Sequence, residues 1–185
     1  MKSTKIICCW LLAALPIFLT AQDDLPLRPE GTHYFLNFAP LGLGLEVPVG
    51  KKGTINARGN MTFDFDSRII NEESETFYRV GSRIDVSYRQ HFKGPFRKLQ
   101  ENRGYKGKFY DYFGAFARIR PPAFYDNFEE RQGLRANIGP IVGTTYRFAN
   151  RLYLDANIGP SVSLRRGSVG LGWMAVSMTF GIQLN

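Results

Sequence analysis

The chain has 185 residues, a formal net charge of +8 and two cysteines, and 44% of its residues are hydrophobic. That length suits one domain rather than several. Both cysteines, Cys8 and Cys9, fall inside a leader-like N-terminus, which excludes disulfides, a thiol nucleophile and a thiolate metal site from the remainder.

Lys2 and Lys5 precede an apolar run from Ile6 to Leu19, and the small residue Ala21 follows it. This pattern predicts a signal peptide over 1–21, cleaved near Ala21 and Gln22. The run is too short for a membrane anchor, and no later segment has the length and apolarity of a membrane-spanning helix. Cleavage leaves about 164 residues and a net charge of +6. A basic exported protein meets anionic lipid or lipopolysaccharide, and its compartment excludes nucleic acid as a partner; a charge balance set for solubility explains the excess equally well.

Residues 22–32 (QDDLPLRPEGT) read as an extended lead-in, and 33–185 as the folded domain. His33 to Ala39 is a strand, interrupted by Pro40, and Leu41 to Val49 alternates again. Gly50 to Gly53 is a tight turn. Thr54 to Asp66 is the clearest segment, with Ile55, Ala57, Gly59, Met61, Phe63 and Phe65 on one face and Thr54, Asn56, Arg58, Asn60, Thr62, Asp64 and Asp66 on the other. Its alternation lasts about twelve residues, whereas soluble strands average roughly five or six and tilted bilayer-spanning strands take roughly 9–11.

Segment 67–75 reads as a polar loop, and Thr76 to Phe92 as the next strand, with Arg79, Arg83, Asp85, Ser87, Arg89 and His91 on its polar face. Segment 93–107 is a long basic stretch with no amphipathic helix expected. Lys108 to Arg120 is an aromatic strand with a less clean alternation, and 121–132 is a loop with exposed aromatics. Gly133 to Phe148, Arg151 to Arg165 and Val169 to the last residue complete the set, joined by turns at 149–150 and 166–168. The run Ala136-Asn137-Ile138-Gly139-Pro140 recurs as Ala156-Asn157-Ile158-Gly159-Pro160, and each proline predicts a bulge or kink.

Alternation alone fits a soluble barrel with its apolar face inward or a membrane barrel with that face outward. Three features favour the second. The polar faces carry small residues with Arg and Asp, while the six lysines beyond the leader stay in turns, loops or at a strand start. Aromatic residues gather toward strand ends: Phe63, Phe65, Phe77 and Tyr78 at one end, and Tyr88, Phe92, Tyr146, Phe148 and Tyr153 at the other. The last strand ends in alternating bulky apolar residues. The expected fold is all-β: an antiparallel up-and-down transmembrane β-barrel, eight-stranded when 33–39 and 41–49 count separately. A soluble form would instead enclose an apolar cavity lined by Ile55, Phe63, Val86 and Ile138.

Arg83 to Phe92 (RIDVSYRQHF), the basic stretch closing on Lys106-Gly107-Lys108, and Phe109-Tyr110-Asp111-Tyr112 together resemble a group of small outer-membrane β-barrel proteins of Gram-negative bacteria. In that group a strand resembling E-P-R-Y-Y-Y-N leads into a basic K-G-K turn; here Asp85 and Ser87-Tyr88 replace its glutamate and tyrosine run. Pro40-Leu41-Gly42-Leu43 and Gly181-Ile182-Gln183-Leu184 are similar as well. The resemblance implies a fold and a location, the outer membrane, and no activity.

No catalytic, cofactor or metal motif stands out. Arg58, Asp64, Arg79, Arg83, Asp85, Arg89, Arg135, Arg147 and Asp155 are expected to form a charge network in the lumen, because unpaired charge in so narrow a space is costly. The expected function is structural or loop-mediated and non-enzymatic. Outer-membrane lipid is one expected partner, with a protein or glycan at loops 67–75 and 121–132. A lipid-modifying barrel enzyme using His91 with a nearby serine, or a lumen carboxylate, is the alternative from another class.

Overall fold

Period-two patterning becomes strand throughout the domain. The computed structural model describes residues 28–70, 73–103, 107–126, 133–148, 151–165 and 168–185, with side chains at all of these but 65–70, 73–75, 172 and 173. The leader expected over 1–21, residues 22–27 of the lead-in, the turn at 149–150 and most of the turn at 166–168 lie outside that range, as do Lys106 and Phe128.

The strands are β1 (His33–Ala39), β2 (Leu41–Val49), β3 (Gly53–Ile70), β4 (Glu73–Phe92), β5 (Lys108–Arg120), the two-residue β6 (Tyr125–Asp126), β7 (Arg135–Arg147), β8 (Leu152–Arg165) and β9 (Ser168–Gln183). Eight of them close a ring in the order β1, β2, β3, β4, β5, β7, β8, β9, with β9 pairing back onto β1 and every neighbour antiparallel. Residues 33–49 are therefore two strands, turning at Ala39-Pro40, where Phe38 pairs with Leu41. Closure leaves the ring no unpaired edge, which an open sheet would have to protect.

Alternation assigns each face. Ile55, Phe63, Val86 and Ile138 all stand exposed on the outer face, so they line no inner cavity. The outer face continues through Leu43, 63% exposed, Val176, 67% exposed, and Leu171, 81% exposed. The inner face holds buried Asn37, Glu46, Thr54, Asn56, Arg58, Arg89, His91, Asp155 and Thr179. Soluble proteins bury the first kind of residue and expose the second.

Four expectations need correction. Segment 67–75 is largely strand: the β3–β4 ladder runs on from Asp66↔Phe77 to Ile70↔Glu73. Segment 93–107 holds a helix, α1 (Pro95–Arg103). It forms because Pro95 preorganises the first turn and Asp111, from β5, accepts the backbone N–H of Arg97 at 3.1 Å. Tyr153 is buried in the ring and Phe77 on the inward face of the β3–β4 ribbon that extends beyond it, so neither belongs to an outer aromatic band.

The two prolines behave differently. The β8–β9 register shifts between Pro160 and Ser161, a bulge, while β5 pairs with β7 straight through Ala115↔Pro140. Between β7 and β8 the ladder lapses from Ile138↔Val162 to Val142↔Ile158, without a change of register. Both prolines lack the N–H a ladder needs. A Cβ on Gly139 would lie 2.1 Å from the Pro160 carbonyl oxygen, and one on Gly159 2.0 Å from that of Pro140. The echoed sequence is thus a reciprocal close approach of two backbones, which glycine alone permits.

Candidate functional site

Every second residue of the ring points inward, so the sequence stacks polar side chains in tiers along the axis. The middle tier centres on Asp155 of β8, whose side chain is 0% exposed. Its carboxylate accepts from Arg58 Nη1 at 2.8 Å, from Arg89 Nη1 and Nη2 at 3.1 and 3.0 Å, from Tyr112 Oη at 2.9 Å and from Thr145 Oγ1 at 2.7 Å. Arg58 also donates to Thr179 Oγ1 at 3.1 Å, and the Arg89 guanidinium lies over the Tyr112 ring at 4.3 Å. Arg58 stands opposite Asp85 in the β3–β4 register, yet it reaches across the lumen to Asp155. Two buried cations on one carboxylate satisfy its lone pairs, which is the condition under which buried charge is tolerated.

At the end of the ring near α1, Arg147 Nη2 meets Glu46 at 2.6 Å and its Nη1 donates to Gln183 Oε1 at 3.1 Å. Toward the opposite end, Asp85 takes Arg118 Nε at 2.6 Å and pairs with Arg83 at 2.7 Å. At that rim Arg79 forms a two-pronged bond to Asp126 of β6, at 3.0 and 3.2 Å. Tyr125 stacks on Tyr78 beside it, with ring centroids 5.1 Å apart. Residues 121–126 are therefore fastened to β4.

The nine expected network residues thus fall into separate clusters. Arg58, Arg89 and Asp155 meet directly; Arg83 and Asp85 meet with Arg118; Arg147 meets Glu46; Arg79 meets Asp126. Asp64 and Arg135 form no ion pair among the described residues. Sequence reasoning left Arg118, Tyr112 and Thr145 out of the network. Arg118 occupies the polar parity of β5, but aromatics on both faces of that strand hid the parity.

His91 Nε2 stands 3.0 Å from Thr54 Oγ1, deep in the ring. Ser87, two inward-facing positions earlier on the same strand, accepts from Arg89 Nε at 3.1 Å. Among the described residues no His, Cys, Asp and Glu cluster is placed to hold a metal. No helix among them is long and apolar enough to cross a membrane, which says nothing of crossing by strands.

Space inside the ring is small. The middle tier encloses about 20 Å³ between Arg58, Arg89, Phe116 and Ile141, room for about one water. A wider opening of about 440 Å³ lies at the α1 end, bounded by Arg28, Glu30, His33, Arg97, Tyr110 and Arg147. At the opposite end a cavity of about 110 Å³ is lined by Arg118, Arg120, Arg135, Asn137 and Ser163. No family model, curated protein or solved structure matches the chain.

Proposed function

We propose that the chain is a small outer-membrane β-barrel protein, exported by a cleaved N-terminal leader, with a structural or loop-mediated role. The observation that carries this reading is the inverted distribution of polarity. A continuous belt of exposed Leu, Val, Ile, Met and Phe surrounds buried Arg, Asp, Glu, Asn and Thr. Water penalises such a belt, since exposed apolar patches beyond a few hundred Å² are rare on soluble monomers. Hydrocarbon accepts it, and a closed ring leaves no free sheet edge there.

The turn after Val49, helix α1 and Asn185 share one end, which is assigned to the periplasm. Basic residues around α1 then face inner-leaflet headgroups or a periplasmic partner. The β3–β4 hairpin and segment 121–126 face outward, where a protein or glycan partner would meet them. The lumen is filled by side chains, so a wide diffusion pore is not proposed. Catalysis is not part of the proposal; His91 is buried and pairs with Thr54.

Fractionation of expressing cells, followed by gel mobility of unheated and boiled membrane fraction, tests the reading. The expected outcome is an outer-membrane protein whose unheated form migrates differently from the boiled one. Recovery as a soluble periplasmic protein, stable without detergent, would overturn it.

A further inference from the structure

Arg120, Arg135 and Arg165 stand side by side. Arg120 pairs in register with Arg135 across β5 and β7, and Arg135 with Arg165 across β7 and β8. All three have the inward parity of their strands. Directly opposed like charges destabilise a sheet, and Cβ atoms of such neighbours lie only about 5 Å apart. Arg79 adds a further positive charge near Arg135, with Asp64 opposing it.

The next row inward is Arg118, Asn137 and Ser163, again in register. Arg118 is engaged by Asp85, but Arg120 and Arg135 make no ion pair among the described residues. The Nε–H groups of both are buried without an acceptor, and the Asn137 side-chain oxygen is buried without a donor. Rotation of the Asn137 side-chain amide brings its NH₂ donors to the same space. Among the described residues, the lining of the 110 Å³ cavity supplies guanidinium, amide and hydroxyl groups and contains no carboxylate.

We infer that this row is a binding site for a phosphate-class oxyanion, held by Arg120 and Arg135 with Asn137 and Ser163 beneath. Planar guanidinium groups match the oxygens of phosphate in pairs, and a shared anion converts their mutual repulsion into attraction. The cavity admits one such group with part of its hydration. A row of arginines whose mutual repulsion weakens the sheet is a local inconsistency of the kind found at functional sites. The inference does not depend on the membrane reading, because the row belongs to the ring itself. Free phosphate and a phosphate carried on a lipid headgroup present the same chemistry.

The test uses the full chain purified in detergent, titrated calorimetrically with inorganic phosphate, beside the same protein in phosphatidic acid or phosphatidylcholine vesicles. Saturable binding of inorganic phosphate is expected, weakening as ionic strength rises. Arg120→Gln and Arg135→Gln should each weaken it about ten- to a hundredfold, the loss of a hydrogen bond to a charged group. Arg135→Lys, which keeps the charge and loses the fork, should weaken it less. Without phosphate both Gln variants should unfold at higher temperature than the parent, since repulsion is relieved. Thermal stabilisation confined to phosphatidic acid vesicles and lost in the Gln variants would assign the phosphate to a headgroup. No phosphate effect in either setting, or an effect that the Gln variants leave unchanged, would overturn the site. A changed unheated gel mobility would identify a variant that fails to fold, and Arg135→Lys then decides.

Discussion

Asp155 joins β8 to β3, β4, β5 and β7 through single side chains. Removing its charge strands two buried guanidinium groups, and breaking a buried pair this way typically costs about 3–5 kcal/mol. Asp155→Asn should therefore lower the equilibrium stability by that order, read from the denaturant midpoint in micelles. Replacing Asp155, Arg58 and Arg89 together by Leu, Met and Met should cost less than the single change, because no uncompensated charge remains. A single variant as stable as the parent would mean that water reaches the tier and screens it. Tyr112→Phe removes one of the donors to the same carboxylate and should cost about 1–2 kcal/mol by the same measurement.

At the scale of elements, the β7–β8 contact rests on the reciprocal approach of Gly139 and Gly159. A Cβ at either position meets a backbone oxygen at about 2 Å, so the strands must separate. Gly139→Ala and Gly159→Ala should each destabilise by about 1–3 kcal/mol, as overpacking does, with a lowered unfolding midpoint as the readout. The β3–β4 hairpin is a different case. Among the described residues, β3 above Asn60 has β4 as its only sheet neighbour, and β4 above Ile84 pairs only with β3 and β6. A two-stranded ribbon contributes little to a core. Replacing residues 66–77 by a short glycine-containing turn should leave the ring's heat-dependent gel mobility intact; loss of that mobility would show the hairpin to be part of the folding unit.

The strand pattern was legible because lumen and surface alternate residue by residue, as in 54–66. The ladder past residue 66 was not, since its residues, Ser67-Arg68 and Ser74-Glu75 among them, are mostly polar without a period-two apolar face and resemble a loop. Helix α1 was hidden for a more physical reason. Its capping carboxylate, Asp111, comes from 14 positions later, and Gly94 precedes the helix where a Ser, Thr or Asp cap would have announced it. The partners of Arg58 and Arg147 were equally out of reach, because they cross the ring to strands 97 and 101 positions away.

At the scale of the whole molecule, the ring size and its contents decide what can pass. Eight strands leave an interior about wide enough for side chains. Here Tyr112, Phe116 and Ile141 pack as a cluster in mid-lumen, and the Asp155 tier closes the remaining section. Ions would have to displace groups already bonded to one another, and the 20 Å³ left over holds about one water. The protein reconstituted in planar bilayers should therefore show no steady conductance steps. Phe116→Ala with Ile141→Ala removes bulk beside Arg89 and Arg118 without touching Asp155, and should open small, anion-preferring steps because the exposed walls are rich in arginine. Regular large steps from the unsubstituted protein would require the Asp155 tier to part as a unit. In that event Asp155→Asn, which loosens the tier, would raise the open time rather than leave the bilayer silent.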